Sequence, residues 1–391
     1  MPKVVHIITR LILGGAQENT LLTVEGFNRK PGWETVLVTG PAIGPEGELI
    51  ERAKRNGVRL VLVDEMRRAI DPRLDWATYR ALKKILREEK PDIVHTHSSK
   101  AGILGRAAAR AVKVPVIVHT IHGMPFHANE SPLKNYLYIA LEKWAAGMSD
   151  CIITVCDAMA EQAVAAAVAP REKFVTIYSG MEVDAFLDAP RHRDETRRKL
   201  GIPTDAPVIG KVARLFELKG HEYLIDAMPE VLERFPNARF LFVGDGILKD
   251  ALAERARNLG VLDSIIFAGL VDSADVPAMI GAMDLLVHCS LREGLARVLP
   301  QGLLAGVPVI SYDIDGAKEV IIPGKTGWLL PPKEVAGLSA AIVEALSNPD
   351  AARRMAEAGR EMCKERFRVE KMVDEIEAIY RGPFANKAAR I

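Results

Sequence analysis

Short apolar runs alternate with longer stretches of helical periodicity along almost the whole chain. The runs, each short enough for one strand, are KVVHIIT, ETVLVTG, VRLVLV, DIVHTH, VPVIVHTI, CIITVC and FVTIYSG in the first half, and PVIGKVAR, RFLFVGDG, SIIFAG, DLLVHCS, VPVISYD and GWLLP in the second. Strands that alternate with helices form parallel sheets covered by helices on both faces. The pattern therefore predicts an α/β fold with two doubly wound, Rossmann-like domains.

The rhythm breaks once, at the charged segment 186–200, which reads FLDAPRHRDETRRKL. Such a segment before a new strand is typical of a domain boundary, so we predict an N-terminal domain over 1–187 and a C-terminal domain over 188–366. Beyond it, VEKMVDEIEAIYR carries apolar residues at one-face helical spacing. We expect the segment 367–391 to form a helix that crosses back to the first domain.

Composition supports this division and narrows the class of partner. At 391 residues, 49% of them apolar, the chain is long enough for two cores, and its 52 basic and 51 acidic residues balance. Balanced charge does not favour nucleic acid. The four cysteines show no CxxC spacing, which predicts a reduced, cytoplasmic setting. No run reaches the roughly 18 apolar residues of a membrane span.

Two glycine-bearing loops follow predicted strands and are candidate anion sites. Gly14 and Gly15 come after the first strand and open a helix, so their bare amides could hold a phosphate. In VARLFELKG, Arg214 and Lys219 bring two cations to the end of the first strand of domain two. A tight packing turn and a solvated basic loop are the alternative interpretations.

A third strand-end turn, VGDG, contains Gly244, Asp245 and Gly246 and could let a base or ribose lie against the backbone. Asp245 is equally well explained as a turn former or a helix cap.

The segment EGLARVLPQ, residues 293–301, places an acid before a helix and a carboxamide eight residues later. If all of it were helical, Glu293 and Gln301 would lie about 12 Å apart along the axis, which suits a ligand with hydroxyls at both ends, such as a nucleotide sugar. The amides of Gly294, Leu295 and Ala296 would face the same crevice.

Pro300 instead favours a helix that begins late, near Arg297, because proline is tolerated in a first turn. An acid that merely caps this helix would explain Glu293 but not Gln301.

Histidines cluster at strand ends in the first domain, with His95 and His97 in VHTH and His122 and His127 in HGMPFH. Side chains two residues apart on a strand share a face, so HxH also fits a metal site. We rank a sugar-binding role for His122 first, a structural role second and a metal site third.

Together these motifs resemble the family 4 retaining glycosyltransferases of the GT-B fold, in the type that builds bacterial cell-surface polysaccharides. The resemblance covers nearly the whole chain: it includes GGAQ, HGMPFH, IYSGMEVDAF, VARLFELKG, VGDG and EGLARVLPQGLLAGVPVIS. It implies two Rossmann-like domains that face each other across a deep cleft.

The resemblance also implies roles for individual residues. Gly15 would meet the diphosphate of a UDP- or GDP-sugar, Arg214 and Lys219 would hold it, and Glu293 with the amides of Leu295 and Ala296 would bind the transferred sugar. His122 would hydrogen-bond that sugar. The family's second acid, which binds the ribose, is Gln301 here, a departure that weakens the expected ribose hydrogen bond by about 1 kcal/mol.

The chemistry implied is transfer of a hexosyl group to a hydroxyl acceptor by front-face displacement, with retention of configuration and with no metal or other cofactor. The acceptor would be a saccharide or a lipid-linked saccharide. The alternatives are a nucleotide-sugar epimerase or hydrolase on the same scaffold and a non-catalytic nucleotide-sugar-binding homologue. A dehydrogenase is disfavoured because the first loop reads LGGAQE and lacks GxGxxG.

One edge of the first domain is predicted to be basic and partly apolar. The helix over 98–113 carries Lys100, Arg106, Arg110 and Lys113, and the segment after HGMPFH mixes aromatic residues with lysines. Such an edge fits peripheral contact with the inner face of the plasma membrane, and a solvated helix face is the alternative.

Overall fold

A computed structural model describes residues 1–44 and 47–382 and divides the chain into two compact units. The first unit is Met1–Met181 together with the chain from Arg368, and the second is Glu182–Phe367. The division falls before the helix Val183–Leu187, whereas the charge pattern predicts it between 187 and 188. The helix packs on other helices of the second unit, and the charged residues follow it.

All thirteen strands predicted from the apolar runs are present among the described residues, and every pairing between them is parallel. The strands of the first unit are β1 Lys3–Arg10, β2 Glu34–Gly40, β3 Leu60–Leu62, β4 Ile93–His97, β5 Val116–Ile121, β6 Cys151–Thr154 and β7 Phe174–Thr176. Those of the second unit are β8 Val208–Val212, β9 Arg239–Val243, β10 Ile265–Gly269, β11 Leu285–His288, β12 Val309–Tyr312 and β13 Trp328–Leu330.

Helices connect these strands in both units. Those of the first unit are α1 Gly15–Arg29, α2 Ile50–Arg55, α3 Pro72–Glu89, α4 Ser99–Ala111, α5 Pro132–Ala146, α6 Asp157–Ala165 and α15 Val369–Arg381. Those of the second are α7 Val183–Leu187, α8 Arg193–Lys199, α9 His221–Arg234, α10 Lys249–Asn258, α11 Val276–Gly281, α12 Val298–Leu304, α13 Val335–Ser347 and α14 Pro349–Arg366. No described helix is long and apolar enough to cross a membrane.

Both sheets are doubly wound. The strand order is β3-β2-β1-β4-β5-β6-β7 in the first unit and β10-β9-β8-β11-β12-β13 in the second. The central strands are buried on both faces, which explains why their sequences are almost continuously apolar. In each sheet the order reverses at one point, between β1 and β4 and between β8 and β11. Open α/β sheets bind ligands beyond the carboxyl ends of the strands at such a point.

The last described helix, α15, packs on the first unit. Its buried face includes Met372, Val373 and Tyr380, which join the core formed by α1 and the first sheet. A β-carbon on Gly26 of α1 would lie 2.4 Å from Val373, so the glycine permits this close approach. The end of the predicted segment 367–391, from residue 383, lies outside the described residues.

Candidate functional site

The second unit places three strand-end loops side by side at its switch point. The loops follow β8, β9 and β11, three strands that are neighbours in the sheet. They carry Arg214 and Lys219, then the turn at 244–246, then Glu293. Residues distant in sequence therefore meet at the sheet edge where a ligand is expected.

The loops after β8 and β11 are held together by hydrogen bonds to backbone carbonyls. The Leu291 amide donates to the Leu218 carbonyl at 2.8 Å, and the Cys289 thiol donates to the Gly220 carbonyl at 2.8 Å. Gly220 has φ 71°, and a β-carbon there would lie 1.9 Å from the Cys289 carbonyl oxygen. Glycine is required at this position, because a side chain would push the loops apart.

Lys219 and Glu293 form an ion pair across these loops. Lys219 Nζ lies 2.6 Å from Glu293 Oε1, and the two side chains remain 21% and 19% exposed. Burial alone would raise the pKa of the Glu293 carboxyl, but the Lys219 charge and hydrogen bond hold that pKa below its ordinary value. Glu293 is therefore an anion at neutral pH that a small polar ligand can still reach.

A buried histidine lies beneath this pair. His288 Nε2 is 3.6 Å from Glu293 Oε1, and the ring is 3% exposed. Burial lowers the pKa of His288 to about 3, so the ring is neutral beside the carboxylate. The Glu293 amide in turn donates to Asp315 Oδ2 at 2.8 Å, which fixes the backbone at the acid.

Arg214 and the turn at 244–246 lie against each other. Arg214 is exposed, and its guanidinium carbon is 5.1 Å from the centre of the Phe216 ring. Gly244 has φ 135°, and a β-carbon there would lie 2.2 Å from the Ala213 carbonyl oxygen. The turn is tightened by a 2.8 Å hydrogen bond from the Gly246 amide to Asp245 Oδ1, so Asp245 acts as a turn former in the structure.

The segment 293–301 is not one helix, so the interpretation that spaces Glu293 and Gln301 along a common axis is wrong. Helix α12 begins at Val298 with Arg297 before it, as Pro300 predicts. Gln301 lies half-buried on α12, while Glu293 precedes the helix. Gly294, Leu295 and Ala296 are buried in the intervening loop, where the Gly294 carbonyl accepts from the Gly316 amide at 3.1 Å.

The first unit gathers its histidines at its own switch point. His6 on β1 pairs in register with His95 on β4. His6 Nδ1 lies 3.1 Å from His97 Nε2, and His97 Nδ1 lies 3.2 Å from Nε2 of half-buried His122 at the end of β5. Burial lowers the pKa of His6 to about 3 and that of His97 well below its ordinary value. The result is a row of imidazoles that ends at half-buried His122, and within it His6 and His97 are neutral.

His6, His95 and His97 also have the geometry of a metal-binding group, since their donor atoms lie within 4.8 Å of one another. Both ring nitrogens of His95 are already used: Nδ1 is 2.6 Å from the Tyr380 hydroxyl and Nε2 is 2.7 Å from Thr120 Oγ1. A metal at this position would have to break one of these hydrogen bonds. The structural role therefore accounts for His95.

The glycine loop of the first unit lies where the sequence places it. Gly14 precedes α1 and Gly15 is its first residue, and both are exposed. Gly14 has an extended backbone with φ 171°, which any residue adopts, and an added β-carbon would meet the end of the flexible Gln17 side chain, at 2.7 Å. Neither conformation nor rigid packing requires glycine at Gly14.

The predicted basic edge is only partly a charged surface. Arg106 is fully buried and paired with Glu142 at 3.1 Å, and Lys100 is paired with Asp75 at 2.5 Å. Arg106 is therefore a packing residue between α4 and α5, and its placement on a basic surface is wrong. Arg110 and Lys113 are exposed.

Sequence reasoning missed His288, Asp315 and Lys211. Lys211 on β8 is fully buried, with Nζ 3.4 Å from Cys289 Sγ below the loop that carries Lys219. His288 and Lys211 lie within apolar runs whose sequences are those of ordinary buried strands. A polar residue at the carboxyl end of β11, next to the switch point, is the signal that would have found His288.

Comparison with known protein families agrees with the division of the chain into two units. Residues 14–180 match the glycosyl transferase 4-like domain, and residues 192–362 match glycosyl transferases group 1. The putative glycosyltransferase EpsD of Bacillus subtilis is 29% identical over 84% of this chain and 87% of its own length. The UDP-Gal:alpha-D-GlcNAc-diphosphoundecaprenol alpha-1,3-galactosyltransferase of Escherichia coli is 27% identical over 98% of both chains.

Solved structures share the fold. Anabaena HepE in complex with UDP and glucose superposes with a TM-score of 0.83 at 21% identity, over 98% of this chain and 100% of that one. HepE in complex with UDP-glucose gives 0.82 at 20% identity over 100% of both chains. Two Rossmann-like sheets and these matches define a GT-B fold, and the chain belongs to the family 4 type of glycosyltransferases, with a group 1 domain as its second unit.

Proposed function

We propose that the protein transfers a hexosyl group from a nucleotide-diphosphate sugar to a hydroxyl acceptor, with retention of configuration. The observation that carries this proposal is the Lys219–Glu293 pair, at 2.6 Å, at the switch point of the second unit. A cation suited to a diphosphate and an anion suited to sugar hydroxyls lie there within one ligand's length. Exposed Arg214 adds a second cation from the same loop.

Each group has a separate task in this proposal. The planar guanidinium of Arg214 and the ammonium of Lys219 bind the diphosphate. The ammonium has three donors, so Lys219 can hold phosphate oxygens while it keeps Glu293 in place. Glu293 accepts hydrogen bonds from the transferred sugar, with the loop amides of Leu295 and Ala296 beside it. Gln301 accepts a ribose hydroxyl.

The remaining contacts are proposed from the family resemblance. Gly14 and Gly15 offer amides to the diphosphate, the turn at 244–246 lies against the nucleoside, and His122 hydrogen-bonds the transferred sugar. Nε2 of His122 lies 3.2 Å from Nδ1 of buried His97, and this contact supports a fixed imidazole at position 122.

The reaction needs no side-chain nucleophile. The acceptor hydroxyl oxygen forms a bond to the anomeric carbon on the face from which the diphosphate leaves. The bond from that carbon to the phosphate oxygen breaks, and the hydroxyl proton passes to the departing phosphate. Arg214 and Lys219 stabilise the negative charge that develops on the leaving group.

The relatives suggest which partners to test. HepE binds UDP-glucose, and the Escherichia coli relative is named for a UDP-galactose donor and a diphosphoundecaprenol-linked acceptor. We propose a UDP-sugar first and a GDP-sugar second as the donor, and a saccharide or lipid-linked saccharide as the acceptor. The proposed location is the cytoplasm, at the inner face of the plasma membrane.

The test is acceptor-dependent release of nucleoside diphosphate from a panel of UDP- and GDP-sugars. We expect release to rise well above background only when a lipid-linked saccharide or a soluble analogue is present. Turnover of the donor without any acceptor would instead favour an epimerase or a hydrolase. Failure of every nucleotide to bind would favour the non-catalytic alternative.

The same assay, run after treatment with EDTA, tests whether a metal takes part. We expect the rate to stay unchanged, because Arg214 and Lys219 provide the charge that a divalent ion provides in other transferases. Loss of turnover that a divalent cation restores would contradict metal independence.

A further inference from the structure

The outward face of helix α5 exposes more large apolar side chains than any other described helix. Leu133 is 79% exposed, Tyr136 74%, and Trp144 55%. With Leu137 at 54% and Leu141 at 36%, these five residues are called the α5 stripe. Clustered exposure of this kind marks an interaction surface, whereas single exposed apolar residues do not.

Helical geometry makes the stripe continuous. At 3.6 residues per turn, its members fall within an arc of about 140° along one side of α5. Lys134 and Lys143, both exposed, fall at the two borders of that arc. Apolar and aromatic residues thus lie in the middle, and one cation lies at each edge.

The opposite face of α5 is firmly attached to the first unit. Glu142 is buried in its ion pair with Arg106 of α4, and Ala145 and Ala146 are buried beside it. Lys173 Nζ donates to the Ala146 carbonyl at 2.9 Å and stabilises the helix end. The stripe is therefore the outer side of a fixed helix.

We propose that the α5 stripe lies on an anionic lipid bilayer. Leucines enter the boundary between head groups and acyl chains, tyrosine and tryptophan favour that boundary, and lysines extend to phosphate groups. At 15 residues, α5 is shorter than the roughly 20 residues that span a bilayer, so it would lie in the surface plane. Arg110 and Lys113, exposed at the end of neighbouring α4, add positive charge.

The dimensions of the stripe argue against a second copy of the chain as its occupant. A helix of this length is about 22 Å long and about 10 Å wide, so the face covers roughly 220 Å². A stable protein interface needs about 800 Å² on each partner.

Lys134 is paired with Glu130 at 3.2 Å, so the apolar side chains carry most of the expected affinity.

This inference deepens the proposed function, because it names the surface that would bring the enzyme to a lipid-linked acceptor. The test is co-sedimentation of the full chain with phosphatidylcholine vesicles, with and without phosphatidylglycerol. We expect binding to the anionic vesicles and a decrease of about 10-fold or more for the double variant Leu137→Glu and Trp144→Glu. Lys143→Glu should weaken the binding and reduce its salt dependence.

Leu62→Glu is the matched control and should leave binding unchanged. Leu62 is 52% exposed on β3, which is the edge strand of the first sheet opposite β7. Wild-type protein that stays in the supernatant at low salt, or a double variant that binds like wild type, would overturn the proposal. So would a concentration-dependent dimer in sedimentation velocity that the double variant abolishes.

Failure here and failure of the proposed function are distinguishable. Nucleotide release with a water-soluble acceptor should be the same in wild type and in the double variant. Vesicle binding without any transfer would remove the transferase proposal and leave the membrane surface intact.

Discussion

The substitution Glu293→Gln should reduce kcat/KM by roughly 10²-fold. Glutamine keeps the size of the side chain and one acceptor oxygen, but it loses the charge that strengthens hydrogen bonds to sugar hydroxyls. It also leaves Lys219 without the carboxylate that lies 2.6 Å from its Nζ. Steady-state kinetics with saturating acceptor, beside thermal unfolding, would measure the effect.

The control for this substitution is Glu344→Gln on α13, an exposed acid in the same unit. Its kinetics should match wild type. The backbone at 293 is held by its own amide on Asp315, so the variant should stay folded. Activity of Glu293→Gln within twofold of wild type would remove Glu293 from the site.

The substitution Lys219→Met should weaken nucleoside diphosphate binding by about 10-fold or more and shift the acid limb of the pH–rate profile upward. In the folded protein, burial by itself would raise the pKa of Glu293. The charge and hydrogen bond of Lys219 oppose it, and the pKa is lowered from its ordinary value of 4.5. The anionic form is therefore present above this lowered pKa and is lost as the pH falls through it. Without Lys219, burial still raises the pKa, and protonation begins at a higher pH.

Calorimetric titration with UDP would measure the first change. A profile of kcat/KM between about pH 4 and about pH 9, which begins near the ordinary pKa of a glutamate carboxyl, would measure the second. Lys219→Arg should recover part of the diphosphate affinity and keep the acid limb low. A Lys219→Met enzyme with the wild-type acid limb would show that Glu293 does not control that limb.

The fold could be predicted from the sequence because strand signals here depend on continuous burial. Parallel strands covered by helices on both faces read as short apolar runs, and each of them formed a strand. Helix boundaries are less certain from sequence. The helical periodicity at about 46–56 predicts a helix there, and the structure has it at Ile50–Arg55, while residue 46 lies outside the described residues.

The loop residues of the candidate site could be predicted from the sequence, but the residues that hold those loops in place could not. Arg214, Lys219 and Glu293 follow strands that topology makes neighbours, so strand-end reasoning finds them. The Asp315 carboxylate accepts a hydrogen bond from the Glu293 amide across 22 residues, and no local pattern encodes this contact. Gly220 depends likewise on the carbonyl of Cys289 in another loop.

Arg106 shows why charge in a sequence does not locate a charged surface. Arg106 precedes Arg110 by four residues and Lys113 by seven, a spacing that puts the three on one side of a helix, but Arg106 pairs with buried Glu142 of α5. The sequence predicts a membrane-facing edge from both the basic helix α4 and the aromatic segment that forms α5. The membrane surface proposed above uses only the exposed apolar side chains of α5.

The central claim is that a sugar is transferred from a nucleotide with retention at its anomeric carbon. NMR of the anomeric proton in the purified product tests it most directly, with a UDP-sugar of known configuration and a hydroxyl acceptor. The account predicts that the product linkage has the configuration of the donor. An inverted linkage, or free sugar in place of a glycosylated acceptor, would contradict it.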